Sequence, residues 1–553
     1  MTPSAIADRL RERFGADAVV AFQEGLADPT IELPPERLPA AALFLRDEDD
    51  LRFDFLRSLS GVDRQESFEV VYNLVSIPRR HVIVLRVKTG RDRPAVASVA
   101  DVWPTAEWHE RETYDLFGIH FTGHPDLRRL FMPEDWVGHP LRKDYERPAE
   151  YHGIVTTREG SAPVTRRQVE GRPQVQEAMH VAKAEELPGF MRINMGPHHP
   201  ATHGVINFLL ETDGEIIRNA SPDVGYLHRG IEKLAESNLY LGTMPYTDRV
   251  DYLGAIFANH SWALAVEKLL GVEVPPRGEY CRVITSELNR IASHLIATGA
   301  LAMDVGAFTP FTHWIREREK INDIMERICG ALLTYNYLRF GGVARDIKPD
   351  VVDTIRLWLD HFQTIFVEFN RLISENEIFV RRLANVSPIS AADAVGFGLV
   401  GPNLRASGVA WDLRRDIPYS VYPDLEFDVI VGRGFRGEVG DCYDRYWCRM
   451  MEIVESIKIL RQACDRLPEG EFWAKPKTVK PAANEFYSAV ESARGELGVY
   501  VVADGTDKPY RAKFRTGSFT GLSIIRHLSP GLMLADLVAL IGSLDVVAPE
   551  VDR

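Results

Sequence analysis

The sequence predicts an α+β protein, in which an N-terminal α/β domain is joined by a linker to a larger domain with small antiparallel sheets and a central helix bundle. At 553 residues the chain is too long for one hydrophobic core, so at least two domains are expected. Residues 148–188 are polar and proline-containing and lack sustained periodicity, which is typical of a linker. We therefore assign residues 1–147 and 189–553 to the two domains.

Strand-like and helix-like patterns alternate in the N-terminal domain. Residues 1–32 indicate a helix and a short strand, and residues 68–90 form two β-rich runs around the Ile77–Pro78 turn. A helical stretch follows at 99–119. The first segment is amphipathic and charged and does not lead into an apolar run, so no secretory signal is expected and a cytoplasmic location follows.

The larger domain begins with a hairpin and continues with long helices. Asp213–Gly214 lies between two alternating runs, which is a strong hairpin signal. Apolar residues recur at helical spacing in 281–299 and 315–332, and a second helical pair is predicted at 351–383 and 443–466. These helices are expected to pack as a bundle, after which the chain returns to strand-like runs.

Composition limits the partners and the metal chemistry of the chain. A net charge of -14 argues against nucleic acid or an anionic membrane as the main partner, because both require a basic face, although local basic patches are compatible with it. The five cysteines form no CxxC pair. We therefore expect neither a zinc ribbon nor an iron–sulfur cluster to be ligated by this chain.

One segment, residues 294–315, is long and apolar enough to suggest a membrane span. It is interrupted by Asp304, Pro310 and His313 and is flanked by charged helical sequence. We predict a buried bundle helix followed by a loop, and no transmembrane helix.

The stretch RINMGPHHPATHGVINF, residues 192–208, places three histidines in a loop between strand-like runs. A zinc site could use His199 and His203 with a carboxylate. Their four-residue spacing is a ligand signature only on a helix, and Pro200 and Gly204 disfavour a helix here. The alternative on this stretch alone is structural, with histidines hydrogen-bonding a tight turn.

Asp304 stands in an otherwise apolar run. A carboxylate in such a setting is costly unless it is paired or protonated, so Asp304 is expected to have a partner, and a histidine is the simplest one. The alternative is an N-cap or loop residue before VGAFTP.

Eight motifs of the larger domain together resemble the 49-kDa (D) family of respiratory complex I subunits. They are GPHHPATHGV, GYLHRGIEKL, DRVDYLGAI, ITSELNRIASHL, DVGAFTPF, EREKINDI, GGVARD and GSLDVVAPEVDR. Residues 110–146, ERETYDLFGIHFTGHPDLRRLFMPEDWVGHPLRKDYE, resemble the 30-kDa (C) family. The resemblance covers nearly the whole chain, which thus looks like a fused C/D subunit of a bacterial proton-pumping NADH:quinone oxidoreductase.

The resemblance implies a peripheral-arm subunit that binds quinone as substrate and ligates no cofactor itself. In that family the terminal [4Fe-4S] cluster is held by a partner subunit, and the quinone headgroup binds in the crevice between the two. Further implied partners are other peripheral-arm subunits and the membrane-arm subunit at the quinone channel, without nucleic acid. The implied location is the cytoplasmic face of the bacterial inner membrane, as a peripheral protein.

The resemblance also assigns catalytic residues. His203 and Tyr252 match the positions that hydrogen-bond the quinone carbonyls, with Asp304 behind His203, and His199 matches a supporting histidine. Quinone reduction delivers two electrons and two protons, so the site needs proton donors at both carbonyls. A phenol, with a pKa near ~10, and an imidazolium, whose pKa a carboxylate raises from ~6.5, can donate without a metal.

Arg229 and Arg249 match family positions near the partner's cluster. A guanidinium stays charged when buried, so it can stabilise a reduced cluster through space. The alternative for Arg229 is a surface ion pair with Glu232, its helical neighbour. For His198 and His260 we favour structural roles.

Several alternatives remain open. The D-type fold is related to the large subunit of nickel–iron hydrogenases, but GPHHPATHG and GSLDVVAPEVDR lack the cysteines that hold nickel there. A related complex with ferredoxin as electron donor is a second alternative, and an assembly scaffold is a third. A scaffold would have no chemical reason to hold His203, Tyr252 and Asp304 together. For the N-terminal domain the family implies scaffolding, with residues 123–146 as a docking surface.

The chain departs from the family at two positions. Many members carry Arg and His, in the helix after the EREK motif, where this chain has Leu332 and Thr334. The family histidine is thought to couple cluster reduction to protonation, so that coupling is in doubt here. The sequence leaves ubiquinone and menaquinone equally open.

Overall fold

A computed structural model describes residues 1–156 and 190–553. The predicted linker therefore lies largely outside the described residues. Its first part contains a small hairpin, Glu150–Tyr151 paired with Ile154–Val155. The linker and the domain boundaries stay a prediction.

The helices of the described residues, in chain order, are α1 (Pro3–Phe14), α2 (Leu38–Asp47), α3 (Ala106–Phe117), α4 (Ile231–Ser237), α5 (Tyr240–Thr247), α6 (Ala255–Leu270), α7 (Pro276–Asp304), α8 (Phe308–Cys329), α9 (Pro349–Phe369), α10 (Glu377–Leu383), α11 (Ala391–Gly396), α12 (Gly401–Ala406), α13 (Leu413–Asp416), α14 (Cys442–Asp465), α15 (Gly517–Ser523), α16 (Ile525–Leu528), α17 (Leu534–Leu544) and α18 (Ala548–Asp552).

The strands are β1 (Ala21–Gln23), β2 (Thr30–Leu33), β3 (Phe55–Asp63), β4 (Ser67–Ser76), β5 (His81–Gly90), β6 (Ala95–Ala97), β7 (His120–Thr122), β8 (Glu150–Tyr151), β9 (Ile154–Val155), β10 (Met191–Met195), β11 (Asn207–Asp213), β12 (Ile216–Asp223), β13 (Leu338–Arg339), β14 (Gly342–Val343), β15 (Asn484–Ser492), β16 (Gly495–Ala503) and β17 (Arg511–Arg515).

A five-stranded mixed sheet, in the order β1-β2-β5-β4-β3, forms the centre of the N-terminal part. Only β2 and β5 are parallel; the other neighbours are antiparallel. All nine residues of β3 are buried because the strand is covered on both faces. One of the two faces is covered by β15 and β16, from the C-terminal part of the chain.

The larger part contains two three-stranded antiparallel sheets, β10-β11-β12 and β15-β16-β17, and a helix bundle. Apolar side chains of α7, α8, α9 and α14 form one buried cluster, with residues such as Leu288 and Leu460 fully inside it. The 29-residue helix α7 runs through this bundle. The packing of this bundle therefore fixes the position of Asp304, the last residue of α7.

The two parts pack tightly against each other. Val62, Val71 and Val84 of the N-terminal sheet form a buried cluster with side chains of β15 and β16, including Tyr500. Within the same interface Arg57 donates to Glu496 at 2.8 Å, and both side chains are almost fully buried. The N-terminal part is thus built onto the larger part rather than loosely tethered to it.

The predicted fold class is confirmed, with local differences at helix ends. Helix α3 begins at Ala106 rather than at residue 99, because Pro104 lacks an N–H and disfavours helical geometry in the residue before it. The predicted helix 351–383 is interrupted by a π-helical turn at 370–374. Asn376 then caps α10 by accepting the N–H groups of Ile378 and Phe379.

Residues 294–315 form the end of α7, a short turn and the start of α8, as predicted. Within residues 1–156 and 190–553, no helix combines the length and the apolar character needed to cross a bilayer.

Candidate functional site

The histidine loop connects β10 to β11 and brings His203 against the last residue of α7. Residues Pro200–Thr202 form one 3₁₀ turn, which ends at His203 with a left-handed φ of 51°. The Nε2 atom of His203 lies 2.5 Å from Oδ2 of Asp304. The predicted His–Asp pair is confirmed, and the N-cap alternative for Asp304 is wrong because Asp304 ends a helix instead of starting one.

The charge of the carboxylate acts on the imidazole. Burial of the ring would lower the pKa of His203, but the hydrogen bond and charge of Asp304, helped by Asp545, raise it above its ordinary value. The His203 side chain keeps 16% of its surface exposed and Asp304 only 6%. The pair therefore presents a readily protonated imidazole at the surface of the bundle, with its carboxylate behind it.

Tyr252 lies in the loop between α5 and α6 and is 37% exposed. Burial raises the pKa of its phenol, and the guanidinium of Arg494 opposes that shift. The charge of Asp545 acts on Tyr252 as well as on His203. The structure thus brings His203 and Tyr252, the two predicted proton donors to the quinone, near one buried carboxylate, that of Asp545.

Asp545 and its arginine partners are site components that the sequence interpretation missed. Asp545 is buried at the end of α17, where Arg494 donates to it at 3.2 Å and Arg449 approaches to 3.8 Å. Asp545 stands inside the motif GSLDVVAPEVDR, which could have drawn attention to it. Arg494 lies in the turn between β15 and β16, where no local pattern indicates a role.

Arg229 and Arg249 lie next to each other, as their common assignment requires. Nη2 of Arg229 donates to the backbone carbonyl of Arg249 at 2.6 Å. Both residues are exposed. Burial, followed by the charge of Arg249, lowers the pKa of Arg229. Two exposed guanidinium groups thus lie together beside the loop that carries Tyr252.

The alternative pairing of Arg229 with Glu232 is wrong. Glu232 is buried, and its carboxylate lies 2.8 Å from Arg511 and 3.7 Å from Lys513. Arg229 lies outside α4, which begins at Ile231 after the left-handed Gly230, and the side chain of Glu232 turns towards the protein interior.

The remaining histidines have different surroundings. His199 caps the 3₁₀ turn, since its Nδ1 accepts the N–H of Ala201 at 3.2 Å, and the preceding His198 is exposed. His260 is fully buried on α6 with its ring 5.5 Å from Tyr419. His199 and His203 have different partners, so the zinc hypothesis gains no support from their contacts.

Leu332 and Thr334 lie in a loop, whereas the sequence interpretation placed them in a helix. Helix α8 ends at Cys329 because Gly330 adopts a left-handed φ of 85° and caps it. Leu332 is 49% exposed. The buried carboxylate of Asp248 lies beside this loop, and burial raises its pKa to about 7.

The chain matches two families of known proteins. Residues 304–483 and 472–553 match the family described as "Respiratory-chain NADH dehydrogenase, 49 Kd subunit". Residues 31–151 match "Respiratory-chain NADH dehydrogenase, 30 Kd subunit". The 30-kDa match falls on the N-terminal part of the fold, and the 49-kDa match falls on the larger part. The 49-kDa match includes Asp304, the partner of His203.

Individual relatives show the same division. The second D-type NADH-quinone oxidoreductase subunit of Anaeromyxobacter dehalogenans is 61% identical over 364 residues, which are 66% of this chain and 96% of the relative. The C/D-type subunit of Phocaeicola vulgatus is 41% identical over 95% of this chain and 99% of its own. The C/D-type subunit of Bdellovibrio bacteriovorus is 38% identical over 96% of each chain.

Proposed function

The chain belongs to the C/D family of NADH-quinone oxidoreductase subunits, and we propose that it forms the quinone headgroup site of that complex with His203, Tyr252 and Asp304. It is a peripheral-arm subunit of respiratory complex I, and other subunits of the complex are its partners. Quinone is the substrate of the complex, so the proposal concerns where on this chain the headgroup binds.

The observation that supports the proposal best is the His203–Asp304 pair at 2.5 Å. A carboxylate behind an imidazole keeps the ring protonated at higher pH and fixes its orientation. The partly exposed ring can therefore donate a proton to one carbonyl oxygen of a quinone. The partly exposed phenol of Tyr252 is the proposed donor to the other carbonyl.

The two donors act at the moment when charge develops on the quinone oxygens. Two electrons entering the ring make both oxygens strong proton acceptors, and donors already in place stabilise that charge without reorganisation. His203 gives up the proton that Asp304 helped it to hold, and Tyr252 donates from its hydroxyl. Protons from water then have to replace those that His203 and Tyr252 have donated.

Arg229 and Arg249 are proposed to face a partner subunit that holds the terminal [4Fe-4S] cluster. Such a cluster would supply the electrons for quinone reduction. The adjacent guanidinium groups stabilise negative charge on the partner's side of the interface. His199 supports the loop by capping its 3₁₀ turn.

We also place the chain at the cytoplasmic face of the bacterial inner membrane, as a peripheral protein next to the membrane-arm subunit at the quinone channel. Relatives named as NADH-quinone oxidoreductases favour NADH as the electron donor of the complex over ferredoxin. The hydrogenase-type alternative and the scaffold alternative are not favoured.

The proposal is tested in the assembled complex with His203→Gln. We expect quinone reduction to fall by about 30-fold or more, because a donor to the developing charge is lost, while NADH oxidation by an artificial acceptor upstream is retained. His198→Gln, five residues earlier in the same loop and exposed, is the matched control and should keep both activities. Equal activities in His203→Gln and in the control would refute the assignment.

A further inference from the structure

Asp552, at the end of α18, holds the loop that carries Arg229. Its carboxylate accepts the backbone N–H of Gly225 at 2.9 Å and that of Leu227 at 2.7 Å. Its backbone carbonyl lies 2.6 Å from Nδ1 of His228. Asp552 is fully buried, so these bonds are shielded from water.

The next residue connects this loop to the N-terminal part. Arg553 accepts the N–H of Arg229 with its carbonyl at 3.4 Å, and its guanidinium lies 3.0 Å from Oε1 of Glu112. The same guanidinium lies over the ring of Phe519 at 4.6 Å. Glu112 belongs to α3, so Arg553 contacts the Arg229 loop with its backbone and the N-terminal domain with its side chain.

A second side chain of the N-terminal part, that of Phe131, packs against loop 225–229. The ring of Phe131 stacks on His228, with centroids 4.9 Å apart and planes 1° from parallel. Gly225 has a φ of 104°, and a Cβ there would collide with the carbonyl oxygen of Phe131. The loop 225–229 therefore fits between Phe131 and α18 with no free space at Gly225.

Charge balance makes Glu112 the critical member of this arrangement. Its carboxylate also lies 2.5 Å from Lys513, so it is the nearer carboxylate to both buried cations, Lys513 and Arg553. The carboxylate of Glu232 lies further away, at 3.7 Å from Lys513 and 3.9 Å from Arg553. Burial would raise the pKa of Glu112, but Arg553 and Lys513 hold it well below its usual range. Removing one member of a buried ion cluster leaves an uncompensated charge, which is strongly unfavourable. Without the Glu112 charge, Arg553 is expected to leave its place and to loosen its contact with the Arg229 loop.

We propose that Glu112 and Arg553 are positioning residues for Arg229, so that the N-terminal domain takes part in the electron-transfer site as well as in assembly. Glu112 fixes the Arg553 guanidinium, the α18 end fixes loop 225–229, and that loop aims Arg229. The inference rests on the proposed role of Arg229 beside the partner's cluster.

Hydrogen exchange of the full chain tests the structural half of the proposal. In Glu112→Gln, and independently in Arg553→Ala, amide exchange of residues 225–229 should accelerate by about tenfold or more, since these bonds open locally. Arg553→Lys keeps the charge and should restore most of the protection. Glu107→Gln changes a partly exposed carboxyl on the same helix and should leave the loop unchanged. Unaltered exchange in both Glu112→Gln and Arg553→Ala would overturn the proposal.

The potential of the terminal cluster, followed by electron paramagnetic resonance in the assembled complex, tests the functional half. Arg229→Gln should lower this potential, and Glu112→Gln should shift it in the same direction by a smaller amount. Faster loop exchange without any shift in Glu112→Gln, although Arg229→Gln shifts the potential, would reduce Glu112 to a merely structural role and overturn the positioning claim. If Arg229→Gln itself leaves the potential unchanged, the proposed role of Arg229 fails, and the positioning claim fails with it. Hydrogen exchange then reports only whether Glu112 and Arg553 hold loop 225–229.

Discussion

Arg494 donates a 2.6 Å hydrogen bond to Asp251, the residue that precedes Tyr252. The same guanidinium contacts Asp545, whose charge acts on His203. One buried cation thus connects the loop of Tyr252 to the carboxylate behind His203. His203 and Tyr252, the two proposed proton donors to the quinone, are therefore connected through Arg494, although they are far apart in the sequence.

Tyr252→Phe removes one hydroxyl and keeps the ring. Quinone reduction should fall by about 30- to 1000-fold, because a donor lost from the transition state costs roughly 2–4 kcal/mol. Reduction of an artificial acceptor upstream should survive. Tyr246→Phe, at an exposed position on α5, is the control. Equal loss of both activities in Tyr252→Phe would indicate misassembly and count against the site.

Asp304→Asn should change the pH dependence of quinone reduction. The raised pKa of His203 keeps the imidazolium populated above pH ~6.5, so activity is lost only as pH rises through that raised value. Without the carboxylate the His203 pKa falls, and the alkaline decline of kcat should move to lower pH. An unchanged profile in an assembled Asp304→Asn complex would show that another group limits the reaction.

The same pair predicts a stability change with a definite sign. Because the folded pKa of His203 is raised, its stabilising contribution is complete below the unfolded pKa of ~6.5 and is lost as pH rises through the folded value. The difference in melting temperature between the wild type and His203→Gln should therefore shrink as the pH of the full-chain sample is raised from 6 to 8.5. A difference that grows with pH would contradict the pairing.

Thr334 predicts a terminal cluster whose potential varies little between pH 6 and 8. A histidine beside a cluster lowers the potential by up to ~59 mV per pH unit for one electron, and threonine has no proton to exchange in this range. Thr334→His should introduce a slope in redox titrations followed by electron paramagnetic resonance. A steep slope in the unmodified complex would refute the prediction; Asp248→Asn would then test the buried carboxyl beside this loop.

A cut near Gly171 should be tolerated when the two halves are co-expressed. The buried contacts between the N-terminal sheet and the strands β15 and β16 are expected to bring the halves together without a covalent link. A cut after Gly271, an exposed glycine inside the larger domain, is the control expected to fail. Failure of the complex to assemble from two soluble halves cut near Gly171 would show that the two-domain interpretation is wrong.

The sequence predicted those features that have a local signature. The Asp213–Gly214 hairpin and the long helix α7 follow from turn chemistry and apolar period, and the isolated charge of Asp304 required a partner. The Arg494–Asp545 contact has no such signature, because its members are 51 residues apart and belong to different elements. The loop at Thr334 does have a local signal, because Gly330 ends α8, but the apolar spacing of residues 315–332 predicts a helix that continues past it.

The contact between Arg57 and Glu496 has a consequence for synthesis on the ribosome. The two residues are 439 positions apart. At about 5–20 residues per second, roughly 20–90 s separate their appearance. During that interval the face of the N-terminal sheet that is later buried against β15 and β16 has no cover, and Val62, Val71, Val84 and Arg57 remain in contact with water. The nascent N-terminal domain must therefore stay soluble with an incomplete surface until β15 and β16, residues 484–503, are made.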